Sequence, residues 1–118
     1  MQALANHTER RGSDSSGLVW KESDRTYQLL RADRPLNKIT NACFKKNLNF
    51  LAGHSRLITN GFFDNQPVIH NEIMAFHNGI ILNETEIWDF LGTQPKLGMD
   101  SELLPHLVNY YLENNTDL

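Results

Sequence analysis

Two short segments decide how this chain is expected to fold: residues 53–61 (GHSRLITNG) and residues 74–79 (MAFHNG). A run of mainly branched and aromatic residues leads into each segment: 48–54 into the first and 73–76 into the second. Such runs favour β-strands. Each run gives way to polar residues and a glycine, which are typical of loops. The polar side chains are therefore predicted to lie at strand ends, where binding and catalytic groups are common.

Three residues in these segments have chemistry suited to a binding site. Arg56 carries a planar guanidinium that matches a carboxylate. Asn78 offers a side-chain amide, and Gly79 offers a main-chain N–H that no side chain shields, so the pair is suited to a developing oxyanion. Each feature also has an ordinary structural interpretation, because a single arginine is often a surface ion pair and Asn-Gly is a frequent turn dipeptide.

Four motifs together resemble the class II glutamine amidotransferase domain, a member of the N-terminal nucleophile hydrolases. That family includes the glutaminase parts of glucosamine-6-phosphate synthase and asparagine synthetase. The motifs are 11–17 (RGSDSSG), 53–56 (GHSR), 77–81 (HNGII) and 100–102 (DSE), in the family's order. The resemblance implies an α+β fold, a four-layer αββα sandwich of two antiparallel sheets between helices. Residues 1–118 are expected to form part of such a domain, without the synthase or acceptor domain.

The resemblance also implies an activity, the hydrolysis of glutamine to glutamate and ammonia, which a separate synthase domain transfers to an acceptor. In the family an N-terminal cysteine attacks the amide and forms a thioester, and its own α-amine acts as the base. Asn78 and Gly79 would then form the oxyanion hole. Arg56 would bind the α-carboxylate of glutamine, and Asp100 would bind its α-ammonium group. Asp100 has a second interpretation compatible with the first, as the cap of a helix.

Residues near the arginine leave the branch of the family open. Thr59 matches a position that meets the bound amino acid in the sugar-synthase branch. Leu57 resembles the asparagine-synthetase branch, whereas Ile80 resembles the sugar-synthase branch. Thr59 and Leu57 are both assigned to the substrate-binding surface, and the acceptor is not identified.

The nucleophile is the main departure from the family. The chain begins MQALANH, without a cysteine, and Cys43 is its single cysteine. An internal cysteine has no α-amine to act as the base, and Cys43 recurs at helical spacing with Leu36, Ile39 and Thr40 on a predicted inner face. We therefore expect a piece of the domain, truncated at both ends, that does not hydrolyse glutamine alone. The alternative is a non-catalytic relative of the same fold that binds glutamine or a partner.

Composition excludes several other classes of function. The chain has 118 residues and a formal net charge of −3. Its Lys and Arg residues form no cluster longer than the pairs at 10–11 and 45–46, which argues against binding to nucleic acid or to an acidic membrane surface. No apolar run approaches the ~20 residues that a membrane-spanning helix needs, and no secretory signal is recognised. A cytoplasmic location is expected, in agreement with the single cysteine.

Neither a cofactor nor a metal ion is expected. The positions of His70 and His77 differ by an odd number, which places the two side chains on opposite faces of an extended chain, and no zinc-type spacing occurs. A partial sheet would expose a strand edge, so a homodimer is a further expectation.

The remaining pattern predicts the elements around the motifs. They are a helix ending near residue 8, a polar turn over 11–17, a hairpin of 17–22 with 26–31, a helix from about residue 35, a strand over 48–56, a hairpin of 67–70 with 73–77, and helices over 83–92 and after 100. The strand 48–56 is apolar on both sides and is expected to be central. Asn83 is expected to cap its helix with Glu86, and the last helix has an apolar stripe ending at Leu112.

Overall fold

The structure is a computed structural model that describes residues 2–23, 26–43, 47–57 and 65–114. Within these ranges the chain forms four α-helices and five β-strands, with short 3-10 turns between them. Both sheets are antiparallel, so the predicted α+β class is confirmed. The chain divides into two compact units, Met1–Pro67 and Val68–Leu118. The four-layer arrangement implied by the resemblance stays a prediction.

Among the described residues, the first unit contains two helices and three strands. Their bounds are α1 Gln2–Thr8, β1 Ser15–Glu22, β2 Gln28–Ala32, α2 Leu36–Ile39 and β3 Leu48–Arg56, with 3-10 turns at Glu9–Arg11 and Thr40–Ala42. The predicted hairpin of β1 with β2 is confirmed. None of the helices in the described ranges combines the length and the apolar character that crossing a membrane requires.

The prediction that β3 is a central, doubly covered strand is wrong. In the described sheet the order is β2-β1-β3, so β1 is central and β3 lies at the margin. The first six residues of β1 are all buried, whereas Phe50 and Leu51 of β3 are 43% and 37% exposed. Apolar residues on both sides of β3 therefore did not predict burial of both faces correctly. Pairing with other strands decides which strand is central.

The core of the first unit lies between α1, α2 and the sheet. Its fully buried members are Ala5, Leu18, Trp20, Leu36, Ile39 and Cys43. The predicted inner face of the helical segment is confirmed, since Leu36, Ile39, Thr40 and Cys43 are at most 5% exposed. Burial of this face against β1 explains why a helix as short as α2 is stable, because tertiary packing outweighs its weak intrinsic helicity.

The prediction of one polar turn over 11–17 is wrong at its C-terminal end. Residues 12–14 form the turn, and β1 already begins at Ser15. Ser16 does not bond its own turn: its hydroxyl donates to the main-chain carbonyl of Arg34 at 2.6 Å. Pairing with β2 and β3 on both sides extends the strand into this polar segment, because the ladder satisfies its main-chain groups.

Close packing of β1 against Gln66 requires a glycine at position 17. A Cβ at this position would lie only 1.7 Å from the main-chain oxygen of Gln66 and 2.6 Å from its carbonyl carbon. Main-chain atoms cannot move aside as a flexible side chain can. A glycine read as a turn signal in the sequence therefore has a packing role in the structure.

Within the part of the chain described, the second unit contains a strand hairpin and two helices. Their bounds are β4 Val68–His70, β5 Ile73–Ala75, α3 Glu84–Leu91 and α4 Leu103–Glu113, with a 3-10 turn at Asp100–Glu102. The predicted hairpin is confirmed, with Asn71 at φ +53° in its turn. Gly92 ends α3 at φ +65°, as predicted.

Two details of the predicted helices are wrong. Asn83 precedes α3 but makes no capping bond through its side chain, because its φ of −105° and ψ of +33° are not the extended geometry of a capping residue. Leu112, at the end of the apolar stripe of α4, is 59% exposed, whereas Leu103 is fully buried. The 11 residues of α4 extend about 16 Å. The three-residue strands that α4 contacts extend only about 10 Å, so they cover only part of the helix.

Candidate functional site

The main chain fixes Arg56 at the end of a strand. It is the last residue of β3 and pairs with Ser15 of β1. Its carbonyl oxygen accepts the N–H of Asp14 at 3.1 Å, which ties the turn after α1 to the end of the strand. The main chain of Arg56 is therefore held at a sheet end, in a position that the strand ladder sets.

The residues next to Arg56 approach this turn closely. A Cβ on Gly12 would lie 2.1 Å from the main-chain nitrogen of Leu57, so only glycine fits where the two segments meet. The side chain of Leu57 is 56% exposed and accessible to a ligand. Thr59 lies outside the described residues, and its contact with substrate stays a prediction.

Asn78 and Gly79 lie in an irregular segment of the second unit, after β5 and before α3. Both are exposed, as donors for a ligand must be. The carboxylate of Asp100 holds the end of this segment, because its Oδ2 accepts the main-chain N–H of Ile81 at 2.7 Å. The second unit by itself thus brings together three of the predicted site residues: Asn78, Gly79 and Asp100.

The helix-cap interpretation of Asp100 is wrong. The 3-10 turn that begins at Asp100 has Met99 as its capping residue, and no side chain caps it. Asp100 does accept a main-chain N–H, but the donor is Ile81, 19 residues earlier in the chain. Its other oxygen, Oδ1, accepts the hydroxyl of Ser101 at 3.3 Å.

His77 and Ser101 lie beside Asp100, although no role is predicted for them from the sequence. His77 Nδ1 lies 3.3 Å from Ser101 Oγ and 3.9 Å from Asp100 Oδ1. Ser101 is only 3% exposed. Their places in the sequence, directly before Asn78 and directly after Asp100, were the available signal, because neighbours of site residues are the first groups able to position them.

Glu102 is a buried carboxylate close to Asp100 in the sequence. It is 3% exposed, and its oxygens accept the N–H of Lys96 at 2.9 and 3.0 Å and the N–H of Leu97 at 2.7 Å. These bonds fix the loop that leads into Asp100. No spacing rule predicts them, because the donors belong to an irregular loop.

A pair of stacked imidazoles lies in the same unit, apart from the residues predicted for the site. The ring centroids of His70 and His106 are 3.5 Å apart with an interplanar angle of 22°, and Trp88 meets His106 edge-on at 5.0 Å. Burial lowers the pKa of His106, nearby His70 lowers it further, Glu102 opposes this shift, and Lys96 adds to it. No group of three potential ligand side chains in the described ranges is arranged to hold a metal ion.

Comparison with known proteins gives a consistent set of relatives, although no protein-family model matches the sequence. Three of them are glutamine–fructose-6-phosphate aminotransferases (isomerizing). The identities are 32% over 120 residues in Clostridium tetani, 30% over 119 in Xylella fastidiosa and 28% over 120 in Wigglesworthia glossinidia brevipalpis. The matches cover 91–93% of this chain but 19–20% of each relative, so the chain spans about a fifth of their length.

Proposed function

Because the chain belongs to the class II glutamine amidotransferases, we propose that its 118 residues form part of a glutaminase domain that binds glutamine. The reaction that the domain serves is the hydrolysis of glutamine to glutamate and ammonia, for transfer to an acceptor on a separate synthase domain. One observation carries the proposal: Asp100 is bonded to the segment that bears Asn78 and Gly79. A carboxylate and two oxyanion donors thus belong to one connected structure, as the binding of an amino-acid amide requires.

Each proposed role follows from the charge of the group. Arg56 binds the α-carboxylate through charge-assisted hydrogen bonds, which are often bidentate. Asp100 binds the α-ammonium group. The side-chain N–H of Asn78 and the main-chain N–H of Gly79 stabilise the negative oxygen that develops when the amide carbonyl is attacked. Leu57 and Thr59 line the same substrate surface.

The attack requires a thiol that these 118 residues do not supply. Cys43 is the single cysteine, it is fully buried in the first unit, and its thiol donates to the carbonyl of Thr40 at 3.4 Å. The polypeptide of residues 1–118 is therefore expected to bind glutamine without turning it over.

The buried cysteine also favours a second candidate, a non-catalytic relative that binds glutamine or a partner. The two functions predict different N-termini for the mature protein in the cell. Mass spectrometry of the endogenous protein distinguishes them: a mature N-terminal cysteine supports the enzyme, and any other N-terminus supports the binding protein.

Calorimetry with three related ligands tests the proposed roles. L-Glutamine is expected to bind the 118-residue protein, and Arg56→Gln is expected to weaken binding by at least about tenfold, because a hydrogen bond to a charged group contributes about 1.5–3 kcal/mol. The ligand 4-aminobutanamide lacks the carboxylate and should not distinguish Arg56→Gln from the wild type. Similarly, 4-carbamoylbutanoate lacks the ammonium group and should not distinguish Asp100→Asn from the wild type.

Arg10→Gln is the matched control, because Arg10 is an exposed arginine of the same unit. It should bind L-glutamine as the wild type does. The proposal is wrong if the wild type does not bind L-glutamine, or if Arg56→Gln binds it with unchanged affinity.

A further inference from the structure

The imidazole of His77 is fixed on two sides within the second unit. On one side, Nδ1 lies 3.3 Å from Ser101 Oγ. On the other side, the ring faces Gly79: a Cβ added there would lie 2.9 Å from His77 Nε2 and 3.5 Å from Cε1. The ring therefore packs directly against the main chain of Gly79, the residue whose N–H is a proposed oxyanion donor.

The direction of the hydrogen bonds follows from the hydroxyl of Ser101. An ionised carboxylate only accepts, so the single hydroxyl hydrogen of Ser101 is donated to Asp100 Oδ1, at 3.3 Å. Ser101 Oγ then accepts a hydrogen bond from His77, which requires a proton on Nδ1. Because Ser101 is only 3% exposed, little water competes for these bonds.

Asp100 and Ser101 together hold the donor segment at both ends. Ser101 holds His77 at its beginning, and Asp100 Oδ2 holds the N–H of Ile81 at its end. Residues 76–81 belong to no helix or strand, so no ladder of main-chain bonds fixes Asn78 and Gly79 between these points. Their position depends on these side chains.

We infer that His77 and Ser101 are positioning residues for the oxyanion donors, and that they act without contacting glutamine themselves. This inference rests on the proposed function. The His77 ring packs against Gly79, and Ser101 sets the orientation of that ring. The carboxylate of Asp100, which is proposed to bind the α-ammonium group, accepts the hydroxyl of Ser101 and so anchors both residues. Binding of the ammonium group and ordering of the donors are therefore coupled through Asp100.

The test replaces the hydroxyl and then restores it. In the 118-residue protein, Ser101→Ala is expected to abolish the preference of His77 for the Nδ1–H tautomer, measured by imidazole ¹⁵N shifts at pH 8. It is also expected to weaken L-glutamine binding about five- to tenfold, the effect of one buried hydrogen bond. Ser101→Thr keeps the hydroxyl and should restore both properties, which loss of packing alone would not do. Thr85→Ala, which removes an exposed hydroxyl of the same unit, is the control.

A second variant keeps the inference testable if Ser101→Ala does not fold. His77→Phe retains a ring against Gly79 but loses the bond to Ser101, so it should weaken binding by a similar factor. The double variant should bind no more weakly than the weaker of the two single variants, because both substitutions remove the bond between His77 and Ser101.

The outcomes separate this inference from the proposed function. If Ser101→Ala keeps the wild-type tautomer and affinity, or if the two substitutions weaken binding additively, the positioning role is wrong while glutamine binding stands. If the wild type does not bind glutamine, the proposed function is wrong and the positioning role at a glutamine site falls with it.

Discussion

The two units hold their predicted site residues in different ways. In the first unit, Arg56 ends a nine-residue strand, and its main-chain bonds to β1 and Asp14 set its position. In the second unit, Asn78 and Gly79 lie in an irregular segment that side chains hold. A strand ladder tolerates most changes of side chain, whereas a segment held by side chains does not. Substitutions that never touch a ligand should therefore displace Asn78 and Gly79 more than Arg56.

The largest effect is expected where an added side-chain atom would collide with main-chain atoms beside β1. Gly17→Ala would place a Cβ 1.7 Å from the main-chain oxygen of Gln66, so the first unit should lose about 3 kcal/mol or more of unfolding free energy. Gly53→Ala is the matched control, because its Cβ would meet only leucine methyl groups at 3.3–3.4 Å. Urea titration followed by Trp20 fluorescence in a Trp88→Phe background measures both. Equal losses in the two variants would contradict this packing.

A smaller and more local effect is expected at the carboxylate that holds the donor segment. Asp100→Ala leaves the N–H of Ile81 without its acceptor, so its hydrogen exchange should accelerate about ten- to a hundredfold, the range for a hydrogen bond to a charged group. Asp89→Ala, which removes an exposed carboxylate of α3, should leave that rate unchanged. An unchanged rate in Asp100→Ala would show that side chains do not hold the segment.

The stacked histidines make the stability of the second unit depend on pH. The pKa of His106 is lowered in the folded chain, mainly by burial and then by the charge of His70, whereas an unfolded histidine titrates near its usual pKa of about 6.5. The unfolded chain therefore takes up the proton first, and the unfolding free energy falls as pH drops below about 6.5, by at most about 1.4 kcal/mol per pH unit.

Two variants sharpen this prediction. His106→Gln should abolish the pH dependence of stability that arises at this site. His70→Gln should reduce that pH dependence, because one of the charges that lowers the pKa of His106 is gone. Glu102 opposes the shift and Lys96 adds to it, so both are left unchanged. Chemical denaturation at pH 5 and pH 7.5, followed by Trp88 fluorescence in a Trp20→Phe background, gives the difference. A stability that is equal at both pH values in the wild type would contradict the assignment.

The smallest effect is expected at the start of α3. Asn83 makes no capping bond through its side chain, so Asn83→Ala should cost less than the ~1 kcal/mol typical of a lost cap. At the other end of the helix, Gly92→Ala should cost about 1 kcal/mol, because φ is +65° there. Thermal unfolding of the two variants ranks them. The reverse order would restore the capping role that the sequence predicts.

Features that the sequence predicted well are those that neighbouring residues determine. The hairpin turn at Asn71, the end of α3 at Gly92 and the buried face containing Leu36 and Ile39 all follow from local periodicity and turn chemistry. Recognition of the family rested on four short motifs in a fixed order, and the relatives found by comparison, at about 30% identity, agree with it.

Features that the sequence did not predict depend on contacts between distant residues. The marginal place of β3 follows from which strands pair with β1, and its own residues do not encode that choice. The partner of Asp100 is 19 residues away, so local spacing suggested a helix cap instead. The role of His77 required knowing that its ring lies against Gly79.

Binding of one molecule of glutamine by Arg56, Asn78 and Asp100 is the core of the proposed function. It is tested most directly by adding L-glutamine to the ¹⁵N-labelled 118-residue protein and following the Nε–H of Arg56 and the side-chain amide of Asn78 by NMR, with D-glutamine as the control. We expect both signals to shift with a single dissociation constant, and Asp100→Asn to weaken binding equally at both signals. The proposal is wrong if either signal does not shift at saturating glutamine, or if the shifts of the two signals give different dissociation constants.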